Sequence, residues 1–217
     1  MPVGDTLPSE SRTVHDPRTG IAIRQVTDLS AIHHHPFYYI PPYDGAGHRL
    51  FFISHRTGAP QLYYEDGAGG PLVQITDRPD LNEWSCHPSR DGKYAYYSAG
   101  SSGWRVDLEQ LREERIASFG DAPIRQPGMV GASMGTTTLS SDDRWWCVYV
   151  KASNSFRLHI IDVQTGENSV ILERDTIAHP QFHPDDPSLL RYAGPYDKRI
   201  WVINRDGSDN RLVYRRD

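Results

Sequence analysis

No apolar run in the 217 residues approaches the roughly 18 that a membrane-spanning helix requires, which excludes a helical membrane protein. The first 30 residues have no basic segment followed by an apolar one, so no secretory leader is predicted. No Lys/Arg-rich block is present, and 23 basic against 28 acidic residues leave a formal charge of −5. That balance argues against a nucleic-acid partner or an anionic membrane surface. Cysteine is scarce. Cys86 and Cys147 lie far apart in apolar-rich stretches, and they read as reduced core thiols of a cytoplasmic protein rather than a disulfide framework. Helical periodicity is nearly absent as well. One stretch, Asp107 to Arg115, reads either as a short uncapped helix or as a strand end followed by a turn.

The chain is rich in aromatic residues, with five Trp, twelve Tyr and six Phe, enough apolar area to exclude a disordered chain. They fall in short runs with β-branched residues, separated by Gly, Pro, Asp and Asn, which is an all-β pattern. An aspartate turn followed by an aromatic or apolar strand recurs four times. Asp44-Gly45 precedes Arg49–Ile53, and Asp91-Gly92 precedes Lys93–Tyr97. Asp142-Asp143 precedes Arg144–Val148, and Asp185-Asp186 precedes Ser188–Tyr192. A period of roughly 45 residues holding four strands is one blade of a β-propeller. The expected blades lie near 33–77, 82–121, 133–174 and 177–216, giving a partial propeller over 33–217. Residues 1–32 form an N-terminal tail and a hairpin of the kind that closes a propeller. Four blades predict the N-terminal part of a larger ring, and open blade faces predict self-association.

Several motifs carry candidate chemistry. Gly131-Ala132-Ser133-Met134-Gly135 matches the serine-hydrolase elbow, but Thr136–Leu139 after it reads as strand rather than helix, and a loop is the better reading. Within His33-His34-His35, the first and third imidazoles would share one face of a strand and could hold a metal, line a substrate channel or serve a plain structural placement. His179, Gln181 and His183 would point one way if extended, with Phe182 turned into the core. Arg199 stands directly before an apolar strand, where a guanidinium can grip a carboxylate with two parallel hydrogen bonds or join a surface ion pair. Trp145, Trp146 and the tyrosine pairs read as core.

A set of motifs in order resembles the oligogalacturonate lyase family, pectin-degrading polysaccharide lyases built on a seven-bladed propeller. They are Asp16–Gly20 with Arg24–Thr27, His34 with Tyr38-Tyr39, Val73–Asp77, Trp104–Leu108, His179-Pro180, and Arg199–Trp201 with Ile203–Gly207. The resemblance spans nearly all of this chain and about the first half of the family's. It implies β-elimination on short galacturonate oligomers, with Arg199 as the catalytic arginine that holds or neutralises the uronate carboxylate. His34 and His179 become substrate-binding candidates, and the partner is an acidic oligosaccharide. The family uses manganese or another divalent metal. Its histidine base and metal cluster match positions beyond residue 217, and Ala193-Gly194-Pro195 replaces a His-Glu-Gly stretch. No metal is therefore expected on this chain, which would turn over nothing by itself unless His179, Gln181 and His183 substitute. The competing reading is a non-catalytic TolB-like or WD40-like propeller acting as a protein-interaction scaffold.

Overall fold

A computed structural model describes residues 2–120, 135–152 and 154–215. The strands, in chain order, begin with β1 (Thr6–Leu7), β2 (Arg12–His15) and β3 (Ala22–Gln25). There follow β4 (His33–His34), β5 (Arg49–Ser54), β6 (Gln61–Asp66) and β7 (Leu72–Gln74), and then a short 3-10 turn at Glu83–Ser85. The next group is β8 (His87–Pro88), β9 (Tyr94–Ala99), β10 (Ser102–Asp107) and β11 (Arg112–Ser118). After it come β12 (Thr137–Leu139), β13 (Trp145–Lys151), β14 (Phe156–Asp162) and β15 (Asn168–Arg174). Last are β16 (Ala178–Phe182), β17 (Leu189–Ala193), β18 (Ile200–Asn204) and β19 (Arg211–Tyr214).

Each group of four pairs antiparallel in chain order, giving four meander sheets of a β-propeller. β1 adds to the outer edge of the first sheet beside β7, while β2 and β3 pair only with each other. The stretch at 107–115 resolves as the end of β10, a turn through Leu111 at φ 52°, and the start of β11. Its charged run Arg112–Arg115 lies on the edge strand β11 instead of forming a helical face. Among the described residues no helix is long and apolar enough to cross a membrane.

The period-2 alternation of a strand explains how one sheet serves two cores. On β9, Ala95, Tyr97 and Ala99 pack against Phe51, Ile53, Leu62 and Val73 of the first sheet, whereas Tyr96 between them packs against Trp146 and Val148 of the third. On β13, Trp146, Val148 and Val150 face the second sheet, and Cys147 and Tyr149 face Leu190, Tyr192 and Ile203 of the fourth. The second and third sheets are thus each sandwiched between two others, and Trp146, Tyr96 and Tyr97 are almost wholly buried. Gly103 permits a close approach of the second and third sheets. A Cβ there would lie 2.7 Å from the Trp146 ring. The outer face of the first sheet, at Phe52, Tyr63 and Leu72, is covered by Leu7 and Val26 of the N-terminal segment, which Arg24 ties down through Glu65 at 2.5 Å. Cys86 and Cys147 are free and fully buried, and burial pushes both thiols well above their ordinary pKa.

The recurring aspartates make the tight turns. Asp91 accepts from Ser89 Oγ and the Lys93 amide, and Asp142 from Ser140 Oγ and the Arg144 amide. In the fourth repeat Asp186, not Asp185, takes this part, accepting from the Ser188 amide and hydroxyl. Gly92 and Asp143 supply the positive φ, 71° and 57°. These turns also join one another. The Gly45 amide donates to Arg90 O at 2.7 Å, and the Arg90 and Asp91 amides donate to the Asp143 carboxylate at 3.0 Å each.

Candidate functional site

Antiparallel meanders place alternate connections at one end, so the end opposite the aspartate turns carries two kinds of segment. One is the loops between second and third strands (residues 55–60 and 194–199), and the other is the links between sheets (75–86 and 175–177). Short inner strands bring those links together near the centre. Thr137 Oγ1 donates to Ser85 O at 2.7 Å, and Thr138 Oγ1 accepts from the Phe182 amide at 3.2 Å.

The link after the first sheet is held by Asn82. Its side chain donates to Gly135 O and Ser98 Oγ and accepts from the Trp84 amide, which locks the 3-10 turn. The turn presents Glu83, whose carboxylate lies 2.9 Å from His55 Nε2 and 3.4 Å from His34 Nε2. The three ligand atoms lie within 4.8 Å of one another, and the Glu83 side chain is only 9% exposed. The His34 ring rests on Trp84 at 4.8 Å between centroids, and its Nδ1 donates to His35 O at 2.8 Å. Burial opposes charge on His34, but the Glu83 carboxylate and the His35 carbonyl outweigh it and hold its pKa above the ordinary value. Two imidazoles and a carboxylate are a donor set that suits a divalent transition metal.

The chain after His34 runs across the centre. Phe37, buried, packs edge-on to Trp84 at 6.1 Å and stacks on His179 at 5.7 Å with 14° between planes. Tyr38, 74% exposed, lies 4.5 Å from Phe37 and 6.0 Å from His179. His179 sits in a bulge where the pairing of β16 with β17 shifts register, and it adopts φ 50°. Burial first, and then the charges of Arg199 and Arg191, hold its pKa below the ordinary value. The neutral imidazole of His179 is thus favoured by burial and by the two guanidinium charges. Arg199 is exposed and donates to Gly194 O at 3.0 Å, and Arg191 donates to Gln181 Oε1. Neither guanidinium has an ion-pair partner among the described residues.

Some expected groupings do not form. β4 ends at His34, so His33 and His35 lose the shared face that strand alternation would give them. His33 Nε2 bonds Leu29 O, and the metal-type group uses His34 instead. The bulge at His179 likewise separates the fates of His179, Gln181 and His183. Gln181 is taken by Arg191, and His183 Nδ1 accepts the Asp185 and Asp186 amides in the turn at the far end of the strand. Ser133 of the elbow-like motif lies outside the described residues. His55, Glu83, Trp84 and Phe37 were not singled out by sequence. The nearest signal was Asn82-Glu83, the type of pair that caps a short helical turn.

The family model for oligogalacturonate lyase matches residues 1–216. An oligogalacturonate lyase of Dickeya dadantii is 27% identical over 231 residues, covering 98% of this chain and 60% of that protein. An oligogalacturonide lyase of Pectobacterium atrosepticum is 26% identical with the same coverage. A solved oligogalacturonate lyase in complex with manganese superposes with a TM-score of 0.84 at 25% identity, covering 100% of this chain and 62% of that one. The chain therefore spans about 60% of the length of the curated relatives it matches. With that family model matched over residues 1–216, the chain belongs to the oligogalacturonate lyase family.

Proposed function

We propose that this protein acts in the β-elimination of short galacturonate oligomers and that its part is to hold the uronate. The observation that carries the reading is the corner formed by Arg199, Arg191 and the His179–Phe37 stack. Two guanidinium groups without carboxylate partners attract an anion, and the exposed Tyr38 ring beside them offers a flat apolar face to a sugar ring. In the elimination, the C5 proton α to the carboxylate leaves to a base and the C4–O bond breaks. The departing oxygen takes up a proton, and a C4–C5 double bond remains. Ionised, the carboxylate opposes the carbanion that develops at C5. Arg199 counters that charge as it grows, which is electrostatic stabilisation of a transition state. A divalent metal, when bound, supplies the same neutralisation as a Lewis acid. In this reading the protein works in the cytoplasm, where Cys86 and Cys147 stay reduced.

The test is titration of the chain with trigalacturonate, with a neutral trisaccharide of glucose as control, alongside ultraviolet detection of unsaturated product in the presence of manganese. Saturable binding of the acidic sugar alone supports the reading. No preference for the uronate at concentrations of about 1 mM would overturn it.

A further inference from the structure

We infer that His34, His55 and Glu83 form a divalent-cation site with zinc-type preference, bridging the first sheet to the link that follows it. The geometry argues this without reference to any reaction. The Nδ1 of His34 faces the His35 carbonyl at 2.8 Å, so the ring proton belongs on Nδ1. Nε2 then faces the Glu83 carboxylate at 3.4 Å: as an imidazolium it donates there, and as a neutral ring it offers the lone pair that a metal takes. A cation can take the place of that proton, and His55 Nε2, 2.9 Å from the same carboxylate oxygen, completes three ligands.

The surroundings resemble a prepared metal shell. The His34 carbonyl-bound nitrogen fixes tautomer and ring direction, as the outer partner of a metal-bound imidazole commonly does. Trp84 packs against one face of the His34 ring, and Asn82 pins the turn that bears Glu83. Three protein ligands of this kind leave a position for water or an anionic oxygen. Two nitrogens and one oxygen favour zinc, nickel or cobalt over manganese, following the general affinity order for such sites.

The experiment is calorimetric titration of the whole chain with ZnCl2 and with MnCl2 in a non-coordinating buffer, together with the visible d–d absorption of added Co2+. One zinc per chain is expected, with manganese weaker by about tenfold or more. His55→Ala lies in a partly exposed loop, and Glu83→Gln keeps the shape of the side chain. Each should weaken zinc by at least about tenfold and abolish the cobalt band, with circular dichroism and melting confirming that the variants are folded. His48→Ala, at an exposed histidine beside Asp66, should leave both readouts unchanged. Absence of saturable zinc binding, or binding that survives the double variant His55→Ala, Glu83→Gln, overturns the site. Neither readout depends on galacturonate, so this inference and the proposed lyase role fail separately.

Discussion

The ring of His179, in the inner strand of the fourth sheet, lies face to face with the ring of Phe37, which leaves the first sheet just beyond His34. That stack crosses the centre of the described propeller and places the anion-attracting corner beside Trp84 and the His34–Glu83–His55 group. Phe37 is therefore structural and positional at once.

Phe37→Ala should cost about 3 kcal/mol, the scale for removing a buried aromatic ring, because contacts to Trp84, Tyr38, Tyr39 and His179 go together. Denaturant midpoints would report it. A loss under about 0.5 kcal/mol, typical of a surface change, would show that the ring does not brace the centre.

Arg199→Ala should weaken trigalacturonate binding by roughly tenfold to a hundredfold, the range for a lost charge-assisted hydrogen bond. Arg199→Lys should fall between, since a lysine keeps the charge but not the fork. As Arg199 is exposed and bonds only Gly194 O among the described contacts, far-ultraviolet circular dichroism should not move. Unaltered affinity would place the uronate elsewhere.

Gly103→Ala should destabilise by about 1–3 kcal/mol through overpacking. The new methyl would meet Trp146, which is fully buried between second and third sheets and has no room to retreat. Thermal melting decides this. An unshifted midpoint would mean that the two sheets slide apart at little cost.

Stability should fall in acid through His87. Its ring is buried, and burial, followed by repulsion from Arg90, pushes its pKa down to about 4. The unfolded chain binds a proton near pH 6.5 while the native state refuses it until about pH 4, so protonation in that window favours unfolding. The contribution of the neutral ring is complete above about pH 6.5 and lost by about pH 4, on the order of 3 kcal/mol in all. Unfolding free energies from pH 8 to 4, compared between the parent chain and His87→Gln, would check the slope. Parallel curves would remove His87 from the account.

The propeller was legible because its information is local. Asp91-Gly92 and Asp142-Asp143 are turn chemistry at fixed offsets from aromatic strands, and β-branched and aromatic runs reveal the meander. Arg199 and His179 are proposed through their motifs alone, and the proximity that couples them electrostatically arises only on folding. His55 and Glu83 gave no sign, since their approach depends on how the loop after β5 meets the link after β7. The separate placement of His33 and His35 is not legible for a related reason. β4 stops at His34, and an inner strand of two residues is too short to advertise where it ends.

The joined aspartate turns set a division of labour. From Gly45 through Arg90 to Asp143, the first three sheets are riveted at one end by main-chain amides that donate to the Arg90 carbonyl and the Asp143 carboxylate. Register between sheets is thereby secured independently of the residues at the opposite end. Loops such as 55–60 and 194–199 are left free to diverge, so new ligand preferences can arise there while the base keeps its shape.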